Sequence, residues 1–207
     1  MRRRNFIRSL GTGSGAIVAT PAISIPAVAN TISKTRTAKE LPADVIIAGA
    51  GMGGCAAAIA ALRNGLRVVM TEETDWIGGQ LTQQGLSCPD EHPWIESFGA
   101  TQLYSDLRTA IREYYVRHYP LTEAAKTNKN LNPGSGAVSR LCHEPRVALA
   151  VLSNMLAPYL ASGKLTLLLQ HKIEGADING DKVKALKAHS LQTGDKMILT
   201  APYFIDA

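Results

Sequence analysis

Short apolar runs on either side of a helical pattern, near the start of the chain, predict an α/β fold. Residues 44–48 and 66–70 are apolar over a length typical of buried strands. Between them, a group of glycines leads into an alanine-rich helical pattern over residues 55–64, and Gly65 stands where a helix commonly ends. A strand, a glycine turn, a helix and a second strand in close succession predict a βαβ unit and a parallel sheet.

The rest of the chain continues the same mixture of helices and strands. Apolar residues recur at helical spacing over residues 103–114 and again over residues 149–160. Residues 165–169 resemble the earlier buried strands, and residues 173–199 contain apolar runs separated by turn sequences, as in an antiparallel β-meander. The last apolar run, residues 203–207, predicts one more strand of the parallel sheet.

The first 29 residues have the pattern of an export signal. Arginines between Arg2 and Arg8 precede a weakly apolar region, and small residues then end in Ala27-Val28-Ala29, an A-x-A cleavage pattern. Two arginines and a spacer before Phe6 resemble a twin-arginine signal, which implies export of the folded protein by the twin-arginine machinery to the periplasm or the outside. A general secretory leader and a chance basic terminus are the alternatives. Residues 30–42 are polar and predict a linker.

The composition is that of a globular domain. The chain has 207 residues, of which 45% are hydrophobic, and no later stretch is apolar for long enough to span a membrane. The net charge is +5, but four of these charges belong to arginines of the leader, so nothing indicates a nucleic-acid partner. Cys55, Cys88 and Cys142 are far apart and form no C-x-x-C pair, so the sequence predicts no metal site.

The glycine-rich turn after the first predicted strand carries the candidate chemistry. Gly49-Ala50-Gly51-Met52-Gly53-Gly54 fits the pattern G-x-G-x-x-G, and it lies between a strand and a helix as that pattern requires. Gly49 permits the tight turn, Gly51 lets the backbone approach a pyrophosphate, and Gly54 lets helix and strand pack closely. The start of the helix would present free N–H groups and a positive dipole end to the phosphates.

Glu72 is the second part of the predicted site. It ends the second predicted strand about twenty residues after the glycines, where a carboxylate can accept hydrogen bonds from the ribose of a dinucleotide. Together, the glycines and Glu72 predict a dinucleotide-binding site. A glycine-rich turn that binds no ligand is the structural alternative, and this spacing alone does not distinguish FAD from NAD.

The residues around Glu72 resemble the extended signature of FAD enzymes of the glutathione-reductase-like superfamily. The spacing Gly65-x-x-Val68-x-x-x-Glu72 is followed by a Gly-Gly pair within Trp76-Ile77-Gly78-Gly79-Gln80-Leu81-Thr82. This resemblance implies that Gly78, Gly79 and Gln80 border the flavin half of FAD. An NAD-dependent dehydrogenase has no reason to carry the pair and is the less favoured alternative.

Further stretches resemble one branch of that superfamily, the FAD-dependent oxidoreductase family, from about Ala43 to the end. These stretches include residues 84–86, 139–145 and 204–207. The resemblance implies a Rossmann-like FAD/NAD(P)-binding domain over residues 43–207, in which Ile173 contacts adenine through its backbone. Because the family continues past the matching Ile-Asp-Ala, we expect this domain to be the incomplete N-terminal part of a longer enzyme.

These features predict an exported FAD-dependent oxidoreductase that transfers a hydride or electrons between a small organic substrate and an acceptor. No catalytic residue is predicted, because the cofactor carries the chemistry and the protein binds and orients it. A truncated, non-catalytic dinucleotide-binding module or a gene fragment is the alternative from another class.

Other groups that could carry chemistry are better explained as structure. Residues 90–92, with the sequence Asp-Glu-His, are adjacent and rarely converge on one ion, so a polar loop is favoured over a metal site. Cys142-His143-Glu144 contains a possible nucleophile, but neighbours in sequence do not give the geometry of a triad. Arg108 and Arg112 predict a solvated helix face, and residues 122–140 predict a polar loop.

Overall fold

The computed structural model describes residues 38–86, 88–89, 92 and 94–207. Within these residues, eight strands, four α-helices and one short 3-10 helix (Gly79–Leu81) form an α/β domain with two four-stranded sheets. The strands are β1 (Lys39–Pro42), β2 (Val45–Ala48), β3 (Val68–Glu72), β4 (Leu165–Leu169), β5 (His171–Asn179), β6 (Lys182–Ser190), β7 (Lys196–Thr200) and β8 (Tyr203–Asp206). The helices are α1 (Met52–Arg63), α2 (Gln102–His118), α3 (Glu123–Thr127) and α4 (Pro145–Ala161). The predicted leader lies outside the described residues.

The first sheet is parallel and has the strand order β4, β3, β2, β8. Val45 of β2 pairs with Val68 of β3 on one side and with Tyr203 of β8 on the other. Alternate side chains of a strand point to opposite faces, and both faces of this sheet are covered. Ile47 belongs to the core cluster under the helices, whereas Ile46 belongs to the cluster under the second sheet. Burial on both faces explains the continuous apolar runs that predicted this sheet.

Helices α1, α2 and α4 contribute to the core cluster on one face of the parallel sheet. Ala58, Ile111 and Leu156, one from each helix, are all buried in that cluster. α1 begins at Met52, three residues before the predicted start, because Gly51 is its N-cap and the following glycines are already helical. None of the helices in the described part of the chain is long and apolar enough to cross a membrane.

The second sheet has the order β1, β7, β6, β5, and it contains the predicted antiparallel meander of β5, β6 and β7. The predicted linker over residues 30–42 differs from the structure at its end, because Lys39–Pro42 form strand β1 parallel to β7. Leu41 aligns with Leu199 and packs on the small core between the sheets. Because β1 and β7 lie so far apart in the sequence, no local pattern around residues 39–42 predicts that they pair.

A buried ion-pair network fixes α2 to the loops on either side of it. Arg108 and Arg112 are only 3% and 9% exposed, so the predicted solvated face is wrong at these two positions. Both guanidinium groups contact the carboxylate of Glu96, and Arg112 also donates from Nε to the carbonyl of Leu131 at 2.9 Å. Arg112 further donates to the carbonyl of Arg140 at 3.3 Å. One side chain of α2 therefore holds the connection that contains α3 at two points.

The Glu96→Gln variant is predicted to unfold at a lower temperature than the native chain at pH 7. Burial raises the pKa of Glu96, but the adjacent guanidinium groups of Arg112 and Arg108 outweigh it and hold the pKa below its usual value of 4.5. Loss of one partner from a buried ion pair costs on the order of 3 kcal/mol. The matched control is Glu113→Gln, which breaks an exposed pair with Arg117 and should change stability by less than about 1 kcal/mol.

The pH dependence of this difference follows from the lowered pKa of Glu96. A carboxylate with a lowered pKa in the folded state stabilises the fold above its unfolded pKa, and this stabilisation is lost as the pH falls through the folded pKa. Thermal unfolding should therefore show a constant gap between native chain and Glu96→Gln variant above pH 4.5, and a shrinking gap below it. A gap that widens in acid would contradict this account of the network.

Candidate functional site

A cleft of about 420 Å³ lies at the carboxyl ends of the parallel strands β2, β3 and β8. This is the edge at which open parallel sheets bind their ligands. Its lining residues are Ala48, Gly49, Gly51, Thr71, Glu72, Glu73, Thr74, Gly79, Gln83, Gln84, His171, Ile173, Asp206 and Ala207. Of the residues predicted for the cofactor site, the cleft brings together Gly49, Gly51, Glu72, Gly79 and Ile173.

Two glycines of the turn are required by the packing of the protein itself. A Cβ atom on Gly49 would lie 1.9 Å from the carbonyl oxygen of Ala207, and one on Gly54 would lie 2.1 Å from the carbonyl oxygen of Gly49. Gly49 also has a φ of +101°, which L side chains rarely adopt. Gly49 therefore makes the tight turn and Gly54 lets α1 begin directly against it.

Gly51 differs from these two glycines because the packing of the fold does not require a glycine at this position. Its φ of −62° and ψ of −173° are open to any residue, and a Cβ atom there would meet no atom of the described residues within 4 Å. That atom would stand instead at the cleft that Gly51 lines. Space that the protein leaves empty at this position is what close approach of a pyrophosphate to the backbone requires.

The start of α1 borders the same cleft. Gly51 is the N-cap, and it has no side chain with which to satisfy the first-turn amides of the helix. The first helical hydrogen bond runs from the Cys55 N–H to the Gly51 carbonyl at 2.9 Å. The preceding amides and the positive end of the helix dipole are thus available to an anion.

Glu72 lies at the end of β3 with its carboxylate held by neighbouring donors. The Ala50 amide donates to Oε2 at 3.1 Å, while the amide and the hydroxyl of Thr74 donate to Oε1 at 2.9 and 2.8 Å. The half-buried carboxylate is therefore joined directly to the glycine turn. Thr74 was not predicted from the sequence, and only its place two residues after Glu72 could have indicated it.

The Gly78-Gly79 pair packs against the glycine turn. The Gly78 amide donates to the Ala50 carbonyl at 2.7 Å, and a Cβ atom on Gly79 would lie 3.1 Å from the Cα atom of Gly51. Gly79 thereby forms one wall of the cleft. Gly78 is buried behind it, whereas Gln80 and Gly53 are exposed and neither belongs to the cleft lining.

The beginning of β5 also contributes to the lining of the cleft. Ile173 and His171 are both half-buried and line the cleft, together with Asp206 from the end of β8. Nδ1 of His171 lies 2.6 Å from the Leu169 carbonyl, and because a carbonyl oxygen can only accept, this nitrogen is the donor. His171 and Asp206 were not predicted, because their proximity depends on strand pairing rather than on a motif.

The alternative chemical groups are held in structural roles. Burial raises the pKa of the Cys55 thiol to about 12, and this thiol donates to the Ala50 carbonyl, so it is an unreactive core group. Cys142 and His143 are also buried, and Glu144 accepts a hydrogen bond from Tyr119, so the three side chains do not form a catalytic arrangement. The described residues contain no cluster of potential metal ligands. Asp90 and Glu91 lie outside them.

Comparison with known proteins places this geometry in one family. The family described as FAD dependent oxidoreductase matches residues 44–207. The flavoprotein subunit of acrylate reductase from Shewanella woodyi is 36% identical over 91 residues, which are 42% of this chain and 17% of that protein. The chain thus spans under a fifth of the length of this relative.

Solved structures support the fold. Sdh1 of Mycobacterium smegmatis, in complex with UQ1, has a TM-score of 0.52 at 16% identity over 82% of this chain and 34% of its own. Adenylylsulfate reductase of Archaeoglobus fulgidus has a TM-score of 0.50 at 14% identity over 82% of this chain and 30% of its own. At such identities the likeness concerns the fold alone, and the chain spans about a third of each of these structures.

The fold is a Rossmann-like domain, and its cleft combines a glycine turn, the start of α1 and the carboxylate of Glu72. The match to a family model specifies which class of Rossmann-like protein this is. This chain belongs to the FAD dependent oxidoreductase family, and its cofactor is FAD. The predicted family, fold class and cofactor are therefore confirmed.

Gly51→Ala is predicted to lower the affinity for FAD without lowering the stability of the protein. The new methyl group would enter the empty space at Gly51, where it would hinder close approach of FAD and contact no described residue. The matched control is Gly53→Ala, since a Cβ atom there also meets open space, but Gly53 lies outside the cleft lining. Flavin fluorescence titration and thermal unfolding measure both properties. Equal FAD affinities of the two variants would contradict the placement of the pyrophosphate.

Proposed function

We propose that the chain is the FAD-binding part of an oxidoreductase that transfers electrons or a hydride between a small organic substrate and an acceptor. The observation that carries the proposal is the unused space at Gly51, which lies between the start of α1 and the Gly79 wall. First-turn amides of α1 would hold the pyrophosphate, and Glu72 would accept a hydrogen bond from the ribose. Ile173 would border the adenine.

The flavin end of the cofactor would extend past the Gly78-Gly79 pair. Gly79 would let it pass close to the backbone, and Gln80 would border it from the exposed side of the turn. Bound FAD would supply the ring that takes up and releases electrons. The residues of this chain would bind and orient that cofactor, and the buried Cys55 thiol takes no part.

The name of one relative suggests which substrate to test first. The acrylate reductase subunit shares 36% identity with a stretch of this chain, which supports a small unsaturated acid as the electron acceptor. No residue of the cleft selects such an acid, because the cleft would be filled by the cofactor. The substrate proposal therefore rests on that relative, whereas the FAD site rests on the geometry of this chain.

The proposed cofactor site predicts that Glu72→Ala weakens FAD binding about tenfold or more, the usual effect of removing a charged hydrogen-bond partner. Glu73→Ala is the matched control, because Glu73 also lines the cleft but pairs with Lys172 at 3.6 Å. The measurement is flavin absorption retained after incubation of the full chain with FAD and desalting. Enhanced NADH fluorescence without retained flavin would favour the NAD-dependent dehydrogenase instead.

The proposed activity is tested on the same FAD-loaded chain. Under anaerobic conditions the flavin is reduced with dithionite, excess reductant is removed, and acrylate is added. Return of the oxidised flavin spectrum with acrylate, and no return with the saturated acid propionate, is expected. Retained flavin that acrylate does not reoxidise would contradict the acid substrate while leaving the cofactor site intact.

We also propose export through the twin-arginine pathway, supported by the basic leader and the A-x-A sequence at Ala27–Ala29. The double variant Arg3→Lys and Arg4→Lys keeps the charge of the leader but changes the arginine pair before Phe6. Cell fractionation should find this variant in the cytoplasm, and the native chain and the Arg2→Lys control in the periplasm or medium. Normal export of the double variant would favour a general secretory leader.

A further inference from the structure

The carboxylate of Glu72 has already used most of its capacity to accept hydrogen bonds. A carboxylate offers about four acceptor positions, two on each oxygen. In the part of the chain that the structure describes, the amide and hydroxyl of Thr74 occupy both positions on Oε1. The Ala50 amide occupies one position on Oε2. One position therefore remains, and it belongs to Oε2.

The hydroxyl of Thr74 is held so that its single proton faces this carboxylate. Its oxygen lies 2.8 Å from Oε1 of Glu72 and 2.9 Å from the carbonyl oxygen of Trp76. A charged acceptor makes the stronger hydrogen bond, so the proton goes to Glu72. The Trp76 amide in turn donates to the hydroxyl oxygen at 3.3 Å, which fixes the orientation of the Thr74 side chain.

The backbone of Thr74 is fixed as well. The Gln170 amide donates to the Thr74 carbonyl at 3.0 Å, which ties this residue to the connection between β4 and β5. That connection leads directly into β5, whose residues His171 and Ile173 also line the cleft. Thr74 thus holds the carboxylate while its own position is fixed by the connection between β4 and β5.

We propose that Thr74 is a positioning residue that saturates Oε1 of Glu72 and thereby leaves the ribose one acceptor. The inference rests on the proposed function, in which the ADP half of FAD occupies this cleft. It goes further by predicting that Glu72 binds one ribose hydroxyl and not the 2′- and 3′-hydroxyls together. Thr74 then determines which part of the diol contributes to affinity.

The test compares the direct binding of ADP, 2′-deoxy-ADP and 3′-deoxy-ADP to the full chain, measured by isothermal titration calorimetry without FAD. For the native protein, removal of one hydroxyl should weaken binding about tenfold or more, and removal of the other less than about threefold. Thr74→Val keeps the backbone amide but removes the hydroxyl donor, so it frees one position on Oε1. Both deoxy analogues should then bind more weakly to this variant than ADP does.

Thr74→Ser is the matched control, because it keeps the hydroxyl and should keep the one-hydroxyl pattern of the native chain. A variant that only loosened the loop would weaken all three nucleotides by the same factor, which would overturn the proposal. Equal losses for both deoxy analogues in the native protein would overturn it too. If the native chain binds ADP analogues in this pattern but retains no FAD, the proposed function fails and the positioning role stands. If it binds neither, both fail.

Discussion

The close approach of Gly54 to the carbonyl oxygen of Gly49 determines where α1 begins relative to the parallel sheet. Because a Cβ atom would come within 2.1 Å of that oxygen, only glycine lets α1 begin immediately after β2. The early start brings the first-turn amides to the end of the sheet. It also leaves both polar atoms of Ala50 free to bind elsewhere, the amide to Glu72 and the carbonyl to Gly78. One steric requirement thus joins the start of α1, the carboxylate of Glu72 and the Gly78-Gly79 pair.

The same site shows how a protein prepares a partly buried charge for a ligand. Removing a carboxylate from water is costly unless hydrogen bonds replace the lost solvation. At Glu72, donors from the glycine turn and from Thr74 supply that replacement before any ligand arrives. The Glu72 side chain therefore loses its conformational entropy during folding, and binding of a ligand need not immobilise it again.

The sequence predicted what depends on local signals and missed what depends on distant pairing. The βαβ unit, Gly49, Gly51 and Glu72 follow from the chain order of strand, turn and helix, and the structure places all three residues at one cleft. Strand β1 was missed because its partner β7 lies far along the chain. Arg108 and Arg112 were assigned to solvent because helical spacing alone gives no sign of the carboxylate of Glu96, which comes from a preceding loop.

The hydrogen bonds of Arg112 have a consequence for where this chain can accept an insertion. Arg112 donates hydrogen bonds to the carbonyls of both Leu131 and Arg140, and these bonds anchor residues 131–140, the second half of the connection between α2 and α4. The short helix α3 precedes that anchor and has no buried residue. Loop length itself costs little entropy when the ends are fixed. The segment around α3 is therefore a natural point for insertions, where new surface can evolve without disturbing the cofactor cleft.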